Sequence, residues 1–168
     1  MDFFVILLIL AGSAASIYLN KLTGIAAIAG AILSTLIFKA SGVAGLSFIA
    51  AFFIIGNWVT SCRFNQKLKN GLAEKGKGKR KAGQVLANAG MAGIISLVAM
   101  SFPQIQQFAP VLIAACFSSA TADTVSSELG NLYGKKYFEI LNFRKGKRGE
   151  NGVISLEGTL LGMVGSCI

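Results

Sequence analysis

An all-α, polytopic bundle of membrane helices is the fold class the sequence predicts, with about six transmembrane or re-entrant segments and the N-terminus outside. Three observations predict it. The 168 residues are 54% hydrophobic and only 14% charged, whereas a soluble domain of this size carries about a quarter charged residues to cover its surface. The apolar residues gather into runs, five of which reach the roughly 17 to 25 residues a helix needs to cross the hydrocarbon core. The 16 Lys and Arg, all but Lys39, lie in links between those runs on one predicted side.

The first run, FFVILLILAGSAASIYL (3–19), contains a small-residue stretch that could pass for a signal cleavage site. Only Asp2 precedes it, however, where a secretory leader carries positive charge, so the run reads as a retained helix. LTGIAAIAGAILSTLIF (22–38) and GVAGLSFIAAFFIIGNWVTS (42–61) follow as the second and third segments. The fourth is QVLANAGMAGIISLVAMSF (84–102) and the fifth APVLIAACFSSATADTVSSEL (109–129). The sixth, VISLEGTLLGMVGSCI (153–168), is short, and is expected to tilt, to re-enter, or to continue in sequence beyond Ile168. Its GTLLG is a GxxxG pattern, which suits close helix packing more than chemistry. Residues 1–168 thus read as one integral membrane domain with basic loops at 62–83 and 131–150.

Those loops set the expected orientation. By the positive-inside rule they face the cytoplasm, and in a prokaryote the membrane would be the plasma (inner) membrane. The net charge of +9 could suggest nucleic acid. Because the cations sit beside apolar runs, the lipid bilayer and phosphorylated substrates are the expected partners and nucleic acid is not. Topology determination and lipid attraction alone also account for such loops.

The chain contains no His, which excludes His-based acid–base catalysis, His-ligated metals and Ser-His or Cys-His nucleophile pairs. Cys62, Cys116 and Cys167 lie far apart with no metal-ligand or disulfide spacing. GLAEKGKG, from Gly71, matches most of a phosphate-binding loop, but Gly78 replaces the Ser or Thr and no strand precedes it, so it reads as chance.

The fifth segment poses the chemical question, because a run that begins as lipid-buried PVLIAAC ends in SSATADTVSSELG, with Asp123 and Glu128. At about 100° per residue, with Asp123 at zero, Ser127 falls near 40°, Asn131 near 80°, Thr124 near 100°, Glu128 near 140° and Thr121 near 160°. The polar groups share half of the cylinder. A carboxylate at membrane depth costs about 2.5 to 3.5 kcal/mol even on mild insertion scales, so the arc is expected to face a polar cavity and find partners there. Glu157 raises the same expectation on the sixth segment, and Gln84 with Asn88 on the fourth.

Acidic side chains beside hydroxyls and amides suit Mg²⁺, a hard cation that shares its shell with phosphates and water. Nearby Lys, Arg and glycine-rich backbone suit the phosphates. Phosphoryl transfer asks mainly for positioning and charge neutralisation, and so needs no histidine. The alternative is that Asp123, Glu128 and Glu157 are interfacial residues paired with basic loop residues.

AGQVLANAG (82–90), SSATADTVSSELG (118–130) and GENGVISLEGTLLG (149–162), in that order and each next to a basic loop, resemble the integral-membrane family of domain of unknown function 92. That family takes in transmembrane protein 19 and the phytyl-phosphate kinases. The resemblance implies phosphoryl transfer from a nucleoside triphosphate, CTP in the phytyl case, to a polyprenyl-type lipid monophosphate. With it, the residues point to one expected site at the cytoplasmic ends of segments four, five and six. Asp123, Glu128 and Asn88 are its candidate catalytic residues, and Asp123, Glu128 and Glu157 its Mg²⁺ ligands. Arg80, Lys81, Ser127, Lys135, Lys136, Asn151, Gly152 and Ser155 would hold nucleotide and lipid phosphate. Two alternatives stay open: a carrier or channel with an intramembrane ion site, and a lipid-nucleotide cytidylyltransferase, which would use similar residues but release pyrophosphate.

Overall fold

Lipid-facing helices account for most of the computed structural model, which describes residues 2–69, 71, 78–150 and 152–167. Its elements are α1 (Asp2–Tyr18), α2 (Gly24–Ser61), α3 (Phe64–Lys69), α4 (Ala82–Ser101), α5 (Pro103–Gln106) and α6 (Ala109–Tyr133), then β1 (Tyr137–Glu139), β2 (Val153–Ser155) and α7 (Leu156–Ser166). Among the described residues three helices, α2, α4 and α6, are long and apolar enough to cross a membrane, and α1 is a shorter apolar helix of 17 residues. The nearly all-helical membrane fold is as the composition requires. In α1 Val5 is buried while Phe3, Leu7, Leu8 and Leu10 point outward, the pattern of a helix that is apolar all round.

The segments predicted at 22–38 and 42–61 are one helix of 38 residues interrupted at Gly42. Unbroken, it would run about 57 Å at 1.5 Å per residue, nearly twice the roughly 30 Å hydrocarbon core. Gly42 has φ 62° and ψ −147°, close to a region essentially closed to residues with a Cβ. There is space for a side chain, since nothing lies within 4 Å of a Cβ built there. The backbone alone therefore selects glycine.

The chain sorts into two compact units, Met1–Ala51 with Lys79–Phe117, and Phe52–Gly78 with Ser118–Ile168; α2 and α6 contribute residues to both. In the first unit the links into α2 and α4 are tied together. Arg80 N–H donates to the Lys21 carbonyl at 2.9 Å, and Thr23 N–H to the Arg80 carbonyl at 3.1 Å. Helix α4 starts on half a capping box, with the Lys81 N–H donating to Gln84 Oε1 at 2.9 Å. It buries small residues, Ala89, Ala92, Gly93, Ser96 and Ala99. A Cβ at Gly93 would come 2.5 Å from Leu33 Cδ2, so glycine permits this close approach to α2.

In the second unit Val59, Val125 and Leu129 form the core, with Ile55, Cys62, Leu132 and Leu161 packed around it. Helix α7 lies antiparallel along the second half of α6. A Cβ at Gly158 would stand 2.8 Å from Gly130 Cα and 2.8 Å from the Ser126 carbonyl oxygen. One at Gly162 would stand 2.9 Å from the Ala122 carbonyl oxygen and 2.9 Å from Ser126 Cβ. At the far end Ser118 Oγ donates to the Ser166 carbonyl at 2.5 Å. The GTLLG pattern is thus a packing device, as its spacing suggested.

Two predicted loops contain structure that the apolar runs did not disclose. Loop 62–83 carries α3, whose six residues are too few for a periodic pattern. Residues 131–150 begin with the last turn of α6 and continue into β1, which pairs with β2 in antiparallel register, Tyr137 with Ser155, Phe138 with Ile154 and Glu139 with Val153. Aromatic and β-branched residues favour these strands, and Gly149 (φ 84°) and Gly152 (φ 75°) supply the left-handed turn between them. Segment six accordingly opens as a strand, and its helical part has 11 residues.

Candidate functional site

The site region is built where α6 ends and α7 begins. Tyr137 Oη donates to the carbonyls of Gly130 and Gly134, at 2.9 and 3.0 Å, the first of which also accepts the Gly134 N–H at 2.9 Å. Its cross-strand partner Ser155, 3% exposed, is the N-cap of α7, its Oγ accepting the Gly158 N–H at 3.1 Å. The hairpin therefore clamps both helix termini. Burial pushes the Tyr137 phenol above its ordinary pKa; the Glu157 carboxylate adds to that shift and the Arg148 guanidinium opposes it. Arg148 also donates to the Asn131 carbonyl.

The two carboxylates of α6 have different surroundings. Buried positions on this helix recur every four residues, at Ala109, Ile113, Phe117, Thr121, Val125 and Leu129. Glu128 flanks that stripe and pairs with Lys67 of α3. Lys67, 2% exposed, also donates to the Val59 carbonyl at 2.8 Å and the Thr60 carbonyl at 3.4 Å. One ammonium thus closes the C-terminal end of α2 and binds α6. Asp123 lies across the helix from the stripe, exposed, and its carboxylate has no hydrogen-bond or ion-pair partner among the described residues. Ser127, one turn on, is exposed as well. Glu157 sits in the first turn of α7, where its charge complements the helix dipole, and it accepts the Lys135 N–H at 3.3 Å.

The remaining expected residues fall as follows. Lys135 and Lys136 are exposed between α6 and β1, and Gly152 forms the turn into β2. Asn151 lies outside the described residues, as do positions 72–77 of the GLAEKGKG stretch. Arg80, Lys81 and Asn88 belong to the first unit, where Arg80 is buried and Lys81 exposed. The described residues form no group of three or more His, Cys, Asp or Glu suited to a metal ion. Asp123 remains a free hard-oxygen donor, and Mg²⁺ characteristically takes one or two carboxylates and completes its shell with phosphates and water. Asp123 is thus a donor of the kind Mg²⁺ takes, with no preformed protein cage around it among the described residues.

Sequence reasoning missed Lys67, Tyr137 and Arg148 as organising residues. Lys67 was visible only as one cation in a basic loop. Tyr137 gave no signal, because its strand has only three residues.

Long apolar helices joined by basic links define a multi-pass integral membrane protein. The chain matches the family described as Integral membrane protein DUF92 over residues 6–168, and it belongs to that family. It is 35% identical over 138 residues to Protein VTE6, chloroplastic, of Arabidopsis thaliana, covering 80% of this chain and 41% of the relative. It is also 35% identical over 132 residues to the Uncharacterized membrane protein sll0875 of Synechocystis sp., covering 78% of this chain and 51% of that protein. The chain thus spans about half the length of these relatives or less. No solved structure matches it.

Proposed function

We propose that this chain takes part in Mg²⁺-dependent phosphoryl transfer from CTP, or another nucleoside triphosphate, to a polyprenyl- or phytyl-type lipid monophosphate at the cytoplasmic face of its membrane. The observation that carries the reading is the unpaired Asp123 carboxylate at the polar end of an apolar helix, with Ser127 one turn away and Lys135 and Lys136 just past the helix end. Family membership and the resemblance to phytyl-phosphate kinases supply the reaction class.

A phosphate oxygen of the lipid attacks the γ-phosphorus, and the bond from that phosphorus to the β–γ bridging oxygen breaks. The nucleoside diphosphate leaves and a lipid diphosphate remains. The attacking oxygen is already anionic, so no general base is required, in keeping with a chain that lacks His. Bound Mg²⁺ would neutralise the nucleotide phosphates. Asp123 is its proposed protein ligand; Glu157, held at the Lys135 N–H beyond the end of α6, sits about 15 Å or more along the helix from it and does not share that ion. Lys135 and Lys136 offset phosphate charge, and Ser127 offers a hydroxyl to a phosphate oxygen. Glu128, engaged by Lys67, acts by holding α6 in place.

The test incubates the purified chain in lipid vesicles with Mg²⁺, labelled CTP or ATP, and a panel of prenyl monophosphates. Nucleoside diphosphate and prenyl diphosphate in equal amounts are expected. Pyrophosphate release instead identifies a cytidylyltransferase, and no turnover with any acceptor refutes the reading for this chain.

A further inference from the structure

We propose that the tight turn at residues 140–143, by which β1 doubles back onto residues 144–146 within the β1–β2 link, is an interfacial anchor that inserts into the leaflet at the end of α6 and is held there by anionic lipid headgroups. The first observation is exposure. Leu141 is 93% exposed, Phe143 76% and Ile140 52%, so three large apolar side chains crowd one short turn outside every membrane helix. The arrangement is fixed in place. Phe143 adopts φ 55°, a conformation that is a genuine outlier for a bulky residue, and its ring stacks on Phe138 with centroids 6.5 Å apart. Glu139 N–H donates to the Arg144 carbonyl at 2.8 Å, Gly146 N–H to the Tyr137 carbonyl at 3.0 Å, and Ile140 N–H to the Gly152 carbonyl at 2.9 Å.

The second observation is charge. Arg144, Lys145 and Lys147 follow the apolar tip, all exposed and none in an ion pair among the described residues. The two nearby carboxylates are occupied by the hairpin itself. Glu139 accepts from Asn142 Nδ2 at 2.6 Å, and Glu150 from the Lys147 N–H at 3.2 Å. The tip therefore presents apolar groups with a cationic collar.

The third observation is position. Helix α6 has 25 residues, about 37 Å at 1.5 Å per residue, so it outruns a hydrocarbon core of roughly 30 Å and brings its end to headgroup level. Strand β1 begins at Tyr137, just after α6 ends at Tyr133, and Tyr137 is bonded back to that helix end. The hairpin is thereby tethered in the layer where apolar side chains enter the acyl boundary and Lys and Arg meet lipid phosphates. Charge complementarity favours this occupant over an apolar protein surface, which would leave the collar unmatched. The inference does not depend on the reaction proposed above.

The test uses the full chain with its single tryptophan removed, Trp58→Phe, and a reporter introduced by Leu141→Trp, reconstituted in phosphatidylcholine vesicles containing a quarter phosphatidylglycerol. Expected is a blue-shifted emission that loses more than half its intensity with lipids brominated near the headgroup end of the acyl chain, and less with deeply brominated lipids. A second reporter, Phe143→Trp, should behave alike and guards against a local defect at one position. Replacing Arg144, Lys145 and Lys147 together by Gln, or omitting phosphatidylglycerol, should reduce the quenching at least twofold. Water-like emission insensitive to brominated lipid from both reporters overturns the anchor. Quenching unchanged by charge removal overturns the headgroup contribution, and protection that disappears on tenfold dilution of protein in lipid overturns the bilayer in favour of a second copy of the chain.

Discussion

Replacing Lys67 with Met keeps the length of the side chain and removes its ammonium, leaving Glu128 without its cation and two α2 carbonyls without their donor. Breaking one side of a buried ion pair costs about 3–5 kcal/mol. The Glu128 side chain keeps 17% of its surface exposed, which places this loss at the lower end, about 3 kcal/mol. The lost bonds to Val59 and Thr60 add about 1 kcal/mol together, since the second, at 3.4 Å, is long. Glu128→Gln should be milder, about 1–2 kcal/mol, because an amide oxygen still accepts from Lys67 and the ammonium keeps its carbonyl partners. The informative variant is the double substitution. If the pair forms, adding Glu128→Gln to Lys67→Met removes the stranded carboxylate and restores about 2 kcal/mol, so the second change stabilises. Reversible unfolding in mixed detergent–SDS micelles, followed by far-UV circular dichroism, measures all four proteins. Single-mutant losses that add within about 0.5 kcal/mol would refute the pairing.

Other outcomes probe the helix contact, the hairpin and the site. Gly158→Ala and Gly162→Ala each drive a Cβ against backbone that cannot yield, and should lose about 1–3 kcal/mol in the same assay, whereas Gly30→Ala, with nothing within 4 Å, should be neutral or stabilising by up to about 1 kcal/mol. Tyr137 has a raised pKa when folded, so its stabilisation should be fully present below the unfolded phenol value of about 10 and be lost as pH rises through the folded value. Tyr137→Phe should lower stability at neutral pH and remove that part of the alkaline decline. Asp123→Asn should lower phosphoryl transfer by about 10² or more through lost charge stabilisation, while stability is kept or raised, because neutralising an unpaired carboxylate on a membrane helix removes a desolvation cost. A destabilised Asp123→Asn protein with normal turnover per folded molecule would count against a metal role.

Long-range order was legible wherever it rests on a property that survives averaging over many residues. Runs of apolar residues mark membrane helices because each helix must satisfy its backbone internally and face lipid, and α1, α4 and α6 begin and end near the limits of their runs. Gly42 was read as the start of a new segment but not as a conformational break within one helix, because a positive φ leaves no mark in hydropathy. The hairpin was invisible for a different reason. Its strands have three residues each, so alternation has too few positions to register, and their pairing spans a turn whose geometry depends on Gly149 and Gly152.

The candidate site was legible in its residue types and not in their roles. Helical periodicity put Asp123 and Glu128 on the same half of α6, and an equal search for partners followed for both. That inference cannot register which part of the half another element covers. Here α3 delivers one buried ammonium to Glu128, and the two carboxylates become unequal: Glu128 shares its charge with a cation that also closes α2, while Asp123 stays free of the protein. A basic residue in a membrane protein is read by position as a topology signal, and Lys67 shows the limit of that reading, since burial with a carboxylate and two carbonyls makes it a structural cross-link. The same logic predicts that exchanging Lys67 for Arg will not be silent. The planar guanidinium must fit a space in which Lys67 is 2% exposed and one compact ammonium reaches Val59, Thr60 and Glu128. Lys67→Arg should therefore keep the charge and lose about 1–3 kcal/mol to overpacking. Wild-type stability in that variant would mean that charge alone, and not the shape of the donor, holds α3 against α6.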